Sequence, residues 1–149
     1  HHSDLELDFT TSLRHHPLEL ALVLLLASPV IFLLELGWAT VAFYILVSEL
    51  VALCAHSNIR LPQRTDSALS KVLVTPSFHR RHHSRHRKQT DSHYGQIFTI
   101  WDRLFRSYAP YNVASDTEVE VGLNQYPKSE DTHLHKALTL PFTQHKPDQ

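Results

Sequence analysis

The chain of 149 residues contains no methionine, three glycines and one cysteine. Cys54 lies inside an apolar run, so no disulfide framework can form within the chain. A basic excess is also missing: 14 Lys+Arg stand against 15 Asp+Glu. A dedicated nucleic-acid binder carries that excess over its whole domain, and here basic character is only local. No solenoid-type repeat is present. The length suits one ordinary domain. The first residue is His, not Met, so the N-terminus reads as unnatural, and a leading His pair can be a tag remnant.

What is abundant is histidine, at 13 residues, and long apolar sequence. Residues 18–36 are almost wholly apolar, with Glu19 and Glu35 near the ends and Pro29 inside. Residues 39–55 are apolar again after the Gly37–Trp38 break, except for Thr40, Ser48 and Glu49. Neither run shows a polar face at the helical period. Crossing a hydrocarbon core of about 30 Å takes about 20 helical residues, so each run is marginal in length. The alternative is two buried helices in a soluble protein, but the remaining residues offer little apolar surface to enclose both. The two runs are therefore expected to form a helical hairpin in a membrane. Pro29 is tolerable there, whereas Glu49 should face protein or water. Arg14 precedes the hairpin and Arg60, Arg64 and Lys71 follow it, while the turn has no Lys or Arg. The positive-inside rule then puts both ends in the cytosol.

Further on, a helix is expected over 66–88 with Pro76 near the start of its 78–88 part. An amphipathic helix is expected over 96–108, with Ile97, Ile100, Trp101, Leu104 and Phe105 on one face. A short strand at 117–121 and a final helix over 132–142, ending at Pro141, complete the reading.

His79, His82 and His83 stand at i, i+3 and i+4, which share one face of a helix, and His86 falls on that face one turn on. Neutral imidazole is a good ligand for iron, zinc, copper or nickel. One HxxHH match alone leaves metal site and basic surface both open. The nucleic-acid reading wants aromatics among the basic residues, and none lies between 79 and 93. Two further segments favour metal. His1-His2-Ser3 repeats the His82-His83-Ser84 triplet and leads, through Arg14-His15-His16, into the first apolar run. His56 closes the second run. Three separate pieces thus bring imidazoles to one membrane face, as a multinuclear histidine site requires.

The blocks "HHSDLELDFTTSLRHHPLE", "HSNIRLP", "TPSFHRRHHS", "SHYGQIFTIWDRLFRSY" and, near the end, "GL" and "LTLPF" resemble the fatty acid hydroxylase / sterol desaturase superfamily of membrane di-iron enzymes. The resemblance implies an all-α protein: an integral membrane helical hairpin with a cytosolic histidine-rich helical cap. Residues 1–149 would be the C-terminal part of one such domain, with 18–36 and 39–56 as membrane helices and 57–149 as cap and tail. It implies O2-dependent hydroxylation or desaturation of a lipid C–H bond (sterol, fatty acyl or ether lipid) at two Fe ions, with Zn a possible substitute. O2, an external reductant and an electron donor such as cytochrome b5 or ferredoxin follow from it, and a bacterial inner membrane is the expected location. No nucleic-acid partner is expected. The alternative is a structural zinc-binding membrane protein without oxygen chemistry.

Position by position, the resemblance matches His79, His82 and His83 to the last HxxHH motif. His1 and His2 match the closing pair of the preceding one, which makes them native rather than a tag. His56 matches a single histidine placed before Asn58. Asp102 and Arg103 match a WDRxF motif with a structural or ligand-supporting role. Asp8 is a candidate to orient a ligand imidazole through its second nitrogen. His16, with Pro17 and Glu19, matches a recurring block. For His15 and His16 a helix cap or a hydrogen bond to Glu19 is the reading, and His16 is placed beside the ligands rather than among them. The basic residues Arg80, Arg81, Arg85, Arg87 and Lys88 are candidates for lipid phosphates or an acidic electron carrier.

The sequence departs from the pattern in three ways. The opening HxxxH motif and the first His of the middle motif are absent, so the chain reads as a C-terminal fragment, inactive alone. His93 stands where Asn is usual; it is either an extra ligand or, as the preferred reading, a hydrogen-bond partner beside the ligands. Arg106 stands where Gly is common, which should matter little if it is exposed. His133, His135 and His145 are expected to be solvent-exposed.

Overall fold

A computed structural model describes residues 1–110, 119–124, 126, 133–139 and 142, without the side chain of Lys88. The described residues are helical and contain no strand. A 3-10 turn, Phe9–Leu13, precedes α1 (Pro17–Leu33) and α2 (Trp38–His56). Five short helices follow: α3 (Gln63–Leu69), α4 (Pro76–His82), α5 (Arg87–Thr90), α6 (Ile100–Leu104) and α7 (Leu134–Thr139).

α1 begins where Pro17 occupies a first-turn position and His16 caps it, its Nδ1 accepting the Leu18 N–H at 3.0 Å. Glu19 in the first turn suits the positive end of the helix dipole. The helix stops at Leu33 and not at 36, because Glu35 turns into the left-handed region at φ 50°. At about 1.5 Å per residue it is about 25 Å long, short of a full hydrocarbon core. α2 is the described helix that is long and apolar enough to cross a membrane. No residue of α1 is buried, and α2 buries only Ala52, Ala55 and His56, all near its end. Neither run is thus a core helix of the described chain. α2 packs closely on the 3-10 turn and on α4, whereas α1 packs closely on no described element. What fixes α2 is its C-terminal attachment to the histidine-bearing segments.

The helix expected over 66–88 is broken into three. Thr75 caps a new start, its Oγ1 accepting the Phe78 N–H, and Pro76 takes the first helical position. Before it, Leu73 pairs with Phe98 in an isolated antiparallel bridge. After it, Ser84 pairs with Val121, and the Arg85 N–H donates to Glu120 O. These tertiary pairings take the backbone groups that a continuous helix would use. His86 therefore leaves the face of His79 and becomes an exposed residue before α5. The amphipathic helix expected over 96–108 shrinks to α6 for the same reason. Its apolar side is exposed, with Trp101 and Phe105 stacked at 6.4 Å. Val121 forms its bridge, but residues 117 and 118 of the expected strand lie outside the described residues. So do 132, 140 and 141 of the last expected helix, and His145; His133 and His135 are exposed.

The apolar core is small: Ala55 of α2, Val74 and Phe78, with Tyr108 packed against them. Arg103 ties the surrounding loops, donating from Nη1 to Lys71 O at 2.9 Å and to Thr99 Oγ1 at 2.7 Å. Arg106 is exposed, yet its φ of 60° lies in the left-handed region. Backbone conformation, and not exposure, makes Gly the better residue there. Arg106→Gly is expected to raise stability by about 1 kcal/mol, since an L-residue in that region costs about 1–2 kcal/mol and the freer unfolded Gly chain offsets part of the gain. A denaturation midpoint that falls on this substitution would contradict the argument.

Candidate metal centre

Three pieces of chain meet at the histidines. α2 delivers His56 at its last residue, α4 delivers His79 and His82, His83 caps α4, and the segment before the 3-10 turn delivers His1 and His2. The Nε2 atoms of His56, His79 and His83 form a triangle with edges of 3.0, 3.2 and 3.2 Å. All three residues are buried. The His2 ring stacks on His83 at 4.4 Å and meets His82 edge-on at 4.6 Å. His1 lies 5.1 Å from His83 and 5.7 Å from His56, ring centre to ring centre. A cavity of about 360 Å³ is lined by His1, His2, His56, His79 and His82, with Tyr94 among its other walls.

Proton bookkeeping shows what the triangle lacks. His56 Nδ1 lies 2.8 Å from Ala52 O, so it must carry the proton and donate, which leaves His56 Nε2 a lone pair. Of the other two Nε2 atoms, each either carries a proton or does not. No assignment turns all three edges into hydrogen bonds: two donors face each other, or two lone pairs do. His79 Nδ1 is also buried, with no hydrogen-bond partner among the described residues. Such a set is unfavourable as a hydrogen-bond network and well suited to a cation. Nitrogens held by one ion at about 2.0–2.1 Å stand about 3.0 Å apart at right angles and about 3.4 Å apart in tetrahedral geometry. The observed edges fall in that range. His82 is prepared in the same way, its Nδ1–H donating to Ser92 O at 2.8 Å and leaving Nε2 as acceptor.

Electrostatics keeps these rings neutral. Burial pushes His79 well below the ordinary imidazole value, and the neighbouring His56 and His82 push it further. Burial acts likewise on His83, with His79 and His2 adding to it. His2 is lowered to about 3, mainly by burial and then by His82. His82 is lowered by burial despite its backbone hydrogen bonds. Near neutral pH the rings therefore present lone pairs, the form that binds metal.

The supporting residues are distributed differently from expectation. Asp8 is exposed and caps the 3-10 turn, accepting from Thr10 N–H and Oγ1–H at 2.7 and 2.6 Å, so its carboxylate is spent there and not on an imidazole. Asn58 accepts from Arg80 Nη2 at 3.0 Å and has no hydrogen bond to a described imidazole. His16 caps α1, and its Nε2 donates to Leu138 O at 3.1 Å, which places it beside α7. His93 is fully buried, stacks on Phe78 at 3.9 Å, and sets its nitrogens against Phe78 O and Ala109 O. Its φ of 59° is a conformation that Asn tolerates better than most residues. Asp102, buried, accepts the N–H groups of Tyr94 and Gly95 and the Ser107 hydroxyl, and so holds the turn after His93. The basic cluster is partly internal: Arg80 is bound to Asn58, and Arg85 Nε donates to Val121 O, while Arg87 is exposed. Sequence reasoning missed how close His15 and Glu19 come to His1. Their i, i+4 spacing at the start of α1 was the available signal.

The fatty acid hydroxylase sequence profile matches residues 1–107. The chain belongs to the fatty acid hydroxylase family. Alkylglycerol monooxygenase of Caenorhabditis elegans is 30% identical over 115 residues, covering 72% of this chain and 20% of that protein. The Homo sapiens alkylglycerol monooxygenase is 28% identical over 112 residues, covering 75% of this chain and 24% of its own length. That of Danio rerio is 48% identical over 42 residues, covering 28% and 9%. The chain thus spans a quarter or less of these relatives. No solved structure matches. The membrane-type helix α2 and the histidine cluster both fit fatty acid hydroxylase membership.

Proposed function

We propose that the chain forms part of an O2-dependent membrane monooxygenase that hydroxylates a lipid C–H bond, with an ether lipid of the alkylglycerol type as substrate. The carrying observation is the triangle of buried Nε2 atoms of His56, His79 and His83, with edges of 3.0–3.2 Å that no proton assignment satisfies. His1, His2 and His82 would complete the part of a two-iron ligand set that this chain contains. Family membership favours iron over a structural zinc role, and the relatives' printed name favours the ether-lipid class.

His1, His2, His56, His79, His82 and His83 would hold iron, which when bound would supply O2 reduction with electrons from an external donor of the cytochrome b5 or ferredoxin type. The chain's own residues do the rest. His56 and His82 keep their tautomers by donating Nδ1–H to Ala52 O and Ser92 O. Burial of His79 and His83 disfavours their protonation and keeps their lone pairs available. The exposed sides of α1 and α2 would face acyl chains, and the site would sit on the cytosolic face of an inner membrane, since basic residues flank the helices and the intervening turn has none. Exposed Trp101 and Phe105 on α6 suit the headgroup level.

The test is turnover by the full-length protein, loaded with iron and supplied with 18O2 and reductant, on an alkylglycerol, a sterol and a free fatty acid. One 18O atom should enter the alkylglycerol product. Incorporation into none of the three, or equal turnover by the zinc-loaded protein, would sink the proposal.

A further inference from the structure

We propose that His15, positioned by Glu19, is an additional imidazole ligand of the histidine centre, reaching it from the side of His1. This rests on the metal-binding reading above and extends it to two residues at the start of α1.

Two observations carry it. First, His1, His15 and Glu19 bring their potential ligand atoms within 4.8 Å of one another, and His1, His56 and His83 do the same. His1 is therefore shared by two groups, and its ring lies 5.0 Å from His15 and 5.1 Å from His83. Second, His15 and Glu19 line the same cavity as His56, His79 and His82, so the pair opens onto the centre, while the other side of His15 borders a second pocket beside α7.

The chemistry of the pair is directional. His15 Nδ1 lies 3.0 Å from Glu19 Oε1, and a carboxylate can only accept, so Nδ1 carries the proton. The lone pair is then on Nε2. A carboxylate behind an imidazole fixes its tautomer and ring orientation and raises its basicity as a ligand. Among the described residues, no other candidate ligand of the centre has a carboxylate hydrogen-bond partner: His56 and His82 donate to backbone carbonyls. Glu19 is accordingly a positioning residue, and His15 the ligand. The competing account is an i, i+4 pair near the surface, with side chains 31% and 44% exposed, which would leave metal binding untouched.

The experiment uses Co2+ as the only added metal, with the full-length protein in detergent. Bound ions per chain, chelator-competition affinity and the visible absorption of bound Co2+ are measured for wild type, His15→Gln, His15→Gly, Glu19→Gln and His83→Ala. The expected result for His15→Gln is a loss of affinity of about 10–100-fold for one class of bound ion, with a changed absorption spectrum. Added imidazole should restore His15→Gly, which separates a missing ligand from a misfolded chain. Glu19→Gln keeps a hydrogen-bond acceptor but loses the charge, and should weaken the same class by about tenfold. If His83→Ala loses metal while the His15 variants keep wild-type stoichiometry, affinity and spectrum, His15 is a surface residue and the inference falls alone. If wild type binds no Co2+, the metal-binding reading and this inference fall together.

Discussion

His83→Ala is expected to lower metal affinity and turnover by about 100-fold or more, and yet to leave the metal-free protein no less stable than wild type. The affinity loss follows from position. His83 Nε2 is 3.2 Å from both His56 Nε2 and His79 Nε2, so its removal opens one corner of the triangle. Loss of a residue that merely orients a ligand costs about 10–100-fold, and loss of a ligand costs more. The stability result has the opposite sign from an ordinary core truncation. Without metal, three lone-pair-bearing or mismatched nitrogens are buried against one another, and burial of a polar group without a partner costs about 1–3 kcal/mol. Removing His83 relieves that mismatch while losing some packing against the His2 ring. Saturating metal, by contrast, stabilises a binding-competent chain by about 2.7 kcal/mol at one hundred times its dissociation constant. Unfolding curves of both proteins with and without metal would therefore cross. A wild-type melting point unmoved by metal, or a His83→Ala protein that binds it normally, would refute the assignment.

Asp102→Ala is expected to destabilise the protein by about 2–3 kcal/mol, through one buried and two part-buried donors left without partners. Those donors are the N–H groups of Tyr94 and Gly95, at 2.7 and 2.9 Å, and the Ser107 hydroxyl, at 2.6 Å. Asp102→Asn should fare only a little better, because its NH2 would face one of the two N–H groups that the carboxylate now accepts. The consequence reaches the centre through a short backbone path: the turn that Asp102 holds follows Ser92, whose carbonyl fixes His82. A loss of metal affinity of about tenfold should accompany the loss of stability. Gly95→Ala probes the same contact from the other side. A Cβ there would stand 2.6 Å from Phe98 O and 2.8 Å from Asp102 Oδ2, so one of them must shift. Overpacking of this kind costs about 1–3 kcal/mol. Wild-type denaturation midpoints for both substitutions would show that the 93–107 turn does not depend on this carboxylate.

Much of the site was legible in the sequence because its signals are local. The i, i+3, i+4 spacing of His79, His82 and His83, the repeated His-His-Ser triplet and the apolar runs each need only a few neighbouring residues to be recognised. The helix lengths were less legible. The run over 66–88 has the composition of one helix, but Leu73 and Ser84 lie in isolated bridges opposite Phe98 and Val121, made by flanking hydrogen bonds such as Val74 N–H to Ile97 O and Arg85 N–H to Glu120 O, and no local pattern announces a pairing so distant in sequence. Asp8 was misread for a related reason. A carboxylate near histidines looks like a ligand's partner, yet Thr10, two residues away, is closer and satisfies it first.

Sequence alone determined that the chain has two apolar helical runs, that imidazoles cluster at their polar ends, and that the motifs resemble one superfamily. Tertiary structure alone decided which rings meet. Helical spacing puts His79, His82 and His83 on one face, but α4 ends at His82, and only His79 and His83 join His56 in the triangle. His82 turns instead to Ser92 O and the His2 ring. The division arises because His56 arrives on a helix held by the 3-10 turn and α4, whereas Ser92 arrives on a turn held by Asp102. Side-chain periodicity fixes a direction around one helix, but the partner found in that direction depends on chain segments brought together across long sequence separations.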